Sequence, residues 1–108
     1  MAFRHHVAFS ASRVSDADVV HHFEQLGYRT DSRAEGLWKF HRGNKSAAFW
    51  RFDIRAYDTN LVVRAKPQGT GEVHVSCDFD VWTFMSIIFA GDVATLEAEA
   101  RALESALK

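Results

Sequence analysis

Residues 61–81, LVVRAKPQGTGEVHVSCDFDV, decide the fold class. Leu61, Val63 and Ala65 alternate with Val62, Arg64 and Lys66, and Val73, Val75, Cys77, Phe79 and Val81 alternate with His74, Ser76, Asp78 and Asp80. Period-two alternation of this kind describes two strands, each with one apolar face. The stretch between them, Pro67-Gln68-Gly69-Thr70-Gly71, has turn chemistry, so the pair reads as an antiparallel hairpin. A loop over 67–71 sets Ala65 opposite Val73, Val63 opposite Val75 and Leu61 opposite Cys77, with the second strand running to about Thr83.

Outward from this hairpin the same phase argument predicts two more strands. Ala48, Trp50, Phe52 and Ile54 face one way, as do Trp38 and Phe40. A three-residue loop, Gly43-Asn44-Lys45, sets Trp38 opposite Trp50 and Phe40 opposite Ala48, whereas a two-residue loop would turn Lys39 and His41 onto the apolar face. A connection over Tyr57 to Asn60 then sets Ile54 opposite Val63 and Asp53 across from Arg64. Residues 28 to 33 read as a link and Ala34-Glu35-Gly36 as a turn. At the N-terminal side Phe3, His5, Val7 and Phe9 alternate with Arg4, His6, Ala8 and Ser10, a strand over 3–10.

Two helices complete the set. Ser15 with Asp18 resembles a capping box, Val19, Val20, Phe23 and Leu26 form one stripe, and Gly27 supplies the stop, predicting a helix over 16–26. Asp92 reads as a cap and Val93, Leu96, Ala100, Leu103 and Leu107 as a second stripe, predicting a helix over 93–107. The order is strand, helix, four-stranded antiparallel meander, helix. A sheet with one apolar face and two amphipathic helices makes a two-layer α+β domain. At 108 residues it is a single domain over 1–108.

This order resembles the TATA-binding-protein-like and helix-grip folds, in which a curved sheet wraps a C-terminal helix. A more local series is similar to a group of uncharacterised bacterial proteins. It comprises Trp38-x-Phe40-x-Arg42-Gly43, Phe52-Asp53-Ile54-Arg55, Thr59 followed by Leu61, Val62 and Val63, and Leu96-Glu97-x-Glu99. The resemblance implies a fold and carries no activity.

Composition narrows the functions. Hydrophobic residues make up 47%, aromatics 13% and charged residues 25%, which excludes disorder, a collagen-like repeat and a disulfide-stapled miniprotein. A formal charge of -1 supplies no global field toward nucleic acid or anionic membrane. The basic residues Arg51, Arg55, Arg64 and Lys66 share a face with Asp53, Glu72, Asp78 and Asp80, which argues against a nucleic-acid patch. The longest apolar run, Val81 to Ala90, is half the length of a spanning helix and leaves only peripheral membrane contact open. With the single cysteine Cys77, and no apolar signal region behind Met-Ala-Phe-Arg-His-His, a reducing cytoplasm is the expected setting.

Catalytic and metal motifs fail on geometry. His5 and His6 point to opposite faces of a strand, and His21 and His22 are about 100 degrees apart on a helix, so neither doublet chelates one ion. Asp18 and His22 share a face and read as a local pair, too few ligands for zinc. His74, Asp78 and Asp80 read as a solvated charged face, Cys77 as a small buried hydrophobe, and Gly69-Thr70-Gly71 as a turn with no helix behind it for phosphate. No cofactor is expected.

The candidate ligand or partner surface is therefore aromatic. His5 points inward and needs a partner for its N–H, which a ligand could supply. Trp38, Trp50, Trp82, Phe84 and Phe89 belong to the aromatic surplus, Ile88 lies beside the last of them, and residues 82–89 are too apolar to be left in water. The leading expectation is a non-catalytic module binding an apolar small molecule or a protein partner, including a second copy of itself. The alternatives are a small cyclase- or isomerase-like enzyme in a helix-grip pocket and a sheet that binds nucleic acid.

Overall fold

The computed structural model describes residues 2–44, 54–82 and 90–107. Its elements in chain order are β1 (Ala2–Ala11), α1 (Asp16–Gln25), β2 (Arg29–Ala34), β3 (Leu37–Arg42), a single 3-10 turn (Ile54–Ala56), β4 (Thr59–Pro67), β5 (Val73–Trp82) and α2 (Ala90–Ala106). The five strands form one antiparallel sheet in the order β1-β5-β4-β3-β2. Strands two to five are a meander and β1 pairs back onto the last of them. The two helices pack against the same sheet, giving the expected α+β architecture.

The apolar phase places the core correctly. Val7 and Phe9 of β1, Trp38 and Phe40 of β3, Leu61 and Val63 of β4, and Val75, Cys77, Phe79 and Val81 of β5 are all buried. They meet Val19, Val20 and Phe23 of α1 and Leu96, Ala100 and Leu103 of α2. Seven of the described aromatic residues lie in this core, where Phe23, Tyr28 and Phe40 stack with ring centroids 5.2 to 6.4 Å apart.

Helix α1 ends as its glycine predicts. Gly27 adopts φ 96° and donates to Glu24 O, while Tyr28 N–H donates to Phe23 O. This is a Schellman ending, and the Tyr28 ring meets the Phe23 ring edge-on at 5.7 Å as its apolar clasp. At the other end Ser15 is extended but its side chain makes no capping bond, so the expected capping box is absent. Helix α2 begins at Ala90, three residues before the predicted start, and Asp92 sits inside its first turn instead of capping it. There its charge still favours the helix N-terminus.

The composition of the meander differs from the expectation in one strand. Residues 29–34 form β2, and β3 pairs directly with β4, so Trp38 lies opposite Val63 and Phe40 opposite Leu61. Neither the Trp38–Trp50 pairing nor the Ile54–Val63 pairing holds. Ile54 is buried at the start of the 3-10 turn, while Trp50 and the rest of the predicted 48–53 strand lie outside the described residues. Chain phase reports which side chains are inside, not which strand is the neighbour. In the hairpin of β4 and β5 the register is displaced by two residues from the expectation: Val63 pairs with Cys77, Leu61 with Phe79 and Pro67 with Val73. The loop is Gln68 to Glu72, closed by Gln68 N–H to Glu72 O at 2.7 Å. A two-residue displacement leaves every side chain on its face, so alternation alone could not detect it.

Candidate functional site

A wide concavity lies where the start of α1, the β2–β3 turn and one end of β4 and β5 converge. It has a volume of about 580 Å³, with Val14, Ala65, Pro67 and Val73 as apolar walls and Gly36 at the turn. Trp38 forms its floor, since β3 phase turns the indole inward and leaves it 4% exposed. The indole N–H donates to Asp16 Oδ1 at 2.7 Å. Asp16 also accepts from the guanidinium of Arg33, whose side chain is half-exposed on the rim. The Arg33 bond, followed by the Trp38 bond, holds the Asp16 carboxyl below the usual carboxylate range. Glu35 adds a second carboxylate to the rim.

Of the other candidate residues that are described, neither His5 nor Trp82 lines this concavity. His5 is partly buried against Phe79, and its Nε2–H donates to Glu97 Oε1 at 2.9 Å. The partner that His5 requires is thus a side chain of α2. Trp82 ends β5 on the outer sheet face, half-buried and paired with Ala2. Trp50, Phe84, Ile88 and Phe89 lie outside the described residues.

The expected pairing of Asp18 with His22 does not form. His22 is buried and turned toward α2, where Nε2–H donates to Glu99 O at 2.8 Å, while Asp18 is exposed. Cys77 is fully buried, and that burial, with the Asp78 charge next to it, pushes its thiol up to about 12. The outer face behaves as a solvated charged surface: Asp78 bonds His6 and Arg64, and Asp80 faces Arg4 at 3.7 Å. Among the described residues no cluster of three or more His, Cys, Asp or Glu is placed to hold a metal ion.

The sequence reading missed a buried ion pair. Arg42 and Glu99, whose side chains are only 5% and 6% exposed, bond twice, at 2.7 and 3.1 Å. Tyr28 donates its hydroxyl to Glu99, the Arg42 guanidinium lies 4.1 Å over the Tyr28 ring, and it also donates to Leu26 O. The signal available was Arg42 continuing the inward phase of Trp38 and Phe40, and Glu99 lying beside the Leu96–Ala100–Leu103 stripe. This cluster clamps α2 to α1 and β3. No protein-family model matches the chain, and no curated protein matches it in sequence.

Proposed function

We propose that the protein is a binding module whose Trp38 cleft takes a small, largely apolar group carrying one basic end. The observation that supports this is the cleft itself, an open space of about 580 Å³ with a tryptophan floor and a polar rim. That size falls within the roughly 300–1,000 Å³ of small-molecule sites, and an apolar lining with a few placed polar groups is their usual character. The charge balance sets the polarity of the ligand. Asp16 and Arg33 neutralise each other, which leaves Glu35 as the uncompensated rim charge.

Binding suits these groups better than catalysis. A carboxyl already committed to an indole N–H and a guanidinium, and held more acidic than usual, is a poor proton shuttle. The buried thiol, pushed up to about 12, is equally unsuited to be a nucleophile.

The test uses two probes of one shape and opposite charge, benzylamine and benzoate, titrated into labelled protein and followed by NMR. The expected result is that benzylamine shifts Val14, Gly36, Val73 and the Trp38 indole N–H more strongly than benzoate does, with Glu35→Gln removing the difference. Shifts confined to other residues, or none from either probe at millimolar concentration, would overturn the reading.

A further inference from the structure

The two edges of the sheet are built differently. Edge β2 is short, has a register break between Thr30 and Ser32, and exposes Arg29, Asp31, Ser32 and Arg33. These are the devices by which a sheet edge refuses a further strand. Edge β1 also exposes Arg4, His6 and Ser10, but it is neither short nor broken. It is ten residues long, runs against β5 through ten consecutive pairs without a break, and contains no Pro and no Lys.

The hydrogen-bond phase shows which backbone groups β1 presents. Ala65 N–H donates to Gly36 O at 2.9 Å, so the odd residues of β4 bond toward β3 and the even ones toward β5. On β5 the even residues therefore answer β4, in keeping with Trp82 N–H donating to Asp58 O, and the odd ones answer β1. Phe3, His5, Val7, Phe9 and Ala11 are their partners. The N–H and C=O groups of Arg4, His6, Ala8 and Ser10 consequently point out of the sheet. The Arg101 guanidinium, reaching Ala8 O at 3.3 Å, is independent evidence of that direction, and it satisfies one carbonyl of the row.

A straight row of donors and acceptors at two-residue spacing is complementary to one thing, an extended backbone. We infer that β1 pairs antiparallel with β1 of a second copy across a two-fold axis, joining two five-stranded sheets into one. Registers centred on His6 and on Val7 both pair Arg4, His6, Ala8 and Ser10 with outward residues of the second copy, and side-chain matching favours the Val7 register. It sets Arg4 opposite Ser10 and His6 opposite Ala8 on the outer face, and His5 opposite Phe9 on the inner face. Shifting the centre to His6 would place imidazole against imidazole. The Val7 register opposes no like charges and matches each large side chain with a smaller one or with an apolar ring. A formal charge of -1 per chain adds no long-range repulsion between copies. This inference is independent of the Trp38 cleft.

The full chain is examined by sedimentation velocity and amide hydrogen exchange across the micromolar range. The expected result is a species of twice the monomer mass, with exchange of Arg4, His6, Ala8 and Ser10 slowed about tenfold or more as the protein is concentrated. Ala8→Pro removes an outward N–H without touching the ladder to β5 and is expected to weaken association about a hundredfold or more. Ala8→Lys, which keeps the backbone intact and puts a charge opposite His6, is expected to do the same if the proline variant does not fold. A monomer at every concentration overturns the inference. So does full protection of these four amides in the dilute monomer, which would mean that the chain covers its own edge. A dimer indifferent to Ala8→Lys places the interface elsewhere and overturns it equally.

Discussion

Arg42 and Glu99 show how a single charged residue inside an apolar phase changes the energetics of a small core. Their bond is bidentate and further satisfied by Tyr28 and Leu26, yet Arg42 Nε has no hydrogen-bond partner among the described residues. Desolvation of two such ions costs about as much as their attraction returns, so the pair specifies how α2 seats more than it adds net stability. Removing one partner is a different matter. Glu99→Leu leaves an uncompensated guanidinium and is expected to cost about 3 to 5 kcal/mol, whereas Arg42→Met with Glu99→Leu together should cost much less. Urea unfolding of the three variants checks this, and equal losses for the single and the double change would refute it. Cys77 belongs to the same scale. With its thiol fully buried and pushed up, native protein is expected to react with an aromatic disulfide reagent only as fast as it opens, and unfolding in urea should release the reaction. Cys77 was legible because strand phase alone turns it inward. The ion pair was not, since its halves are 57 residues apart and no local pattern links them.

Elements were legible in proportion to how much of their stability comes from a buried face. Strands β1 and β5 alternate cleanly, and α1 carries both its stripe and its glycine stop. Strand β2 is almost wholly exposed, so no alternation marks it, and backbone pairing to β3 is what holds it in the sheet. Its absence from the sequence reading made residues 48–54 appear necessary as the fourth strand of the meander. Gly43 shows what lies against the end of β3. It has φ 79°, Asn44 bridges Tyr57, and a Cβ at Gly43 would sit 2.2 Å from Tyr57 O and 2.4 Å from Ala56 O. The 3-10 turn therefore lies directly against the end of β3, with backbone packed on backbone. Gly43→Ala must move that contact and also strain a left-handed residue, so it is expected to cost at least about 2 kcal/mol. Gly71→Ala, with a similar φ of 85° and open space around it, isolates the strain and should cost about 1 to 2 kcal/mol. Thermal unfolding of both variants separates the two contributions, and equal shifts would show that the contact with residues 56 and 57 is unimportant.

At the scale of the whole molecule, the helical layer is held to the sheet by apolar burial, by the Arg42–Glu99 clamp and by two exposed carboxylates. Asp16 on α1 ties to Trp38 of β3 and Arg33 of β2, and Glu97 on α2 ties to His5 of β1 and to Arg101. Both carboxyls are held below their ordinary values of 3.8 and 4.5, Asp16 first by Arg33 and Glu97 first by the His5 bond. A carboxyl that is more acidic in the folded chain binds its proton later as pH falls, so the unfolded chain takes up protons first. The stability these groups contribute is therefore complete above their ordinary values and is lost as pH drops through the lowered folded ones. The ion pairs of Asp16 with Arg33 and of Glu97 with Arg101 reach solvent, so salt should weaken them as well. The expected outcome is a urea midpoint that falls as pH is lowered from 5 to below 3, with a shallower fall in the double variant Asp16→Asn, Glu97→Gln. Above pH 5 the wild type should exceed that variant, and the gap should close in acid, because protonation removes from the wild type what the substitutions have already removed. A gap that stays constant across this range would place the acid sensitivity in other groups and leave these two ties without a part in joining the layers.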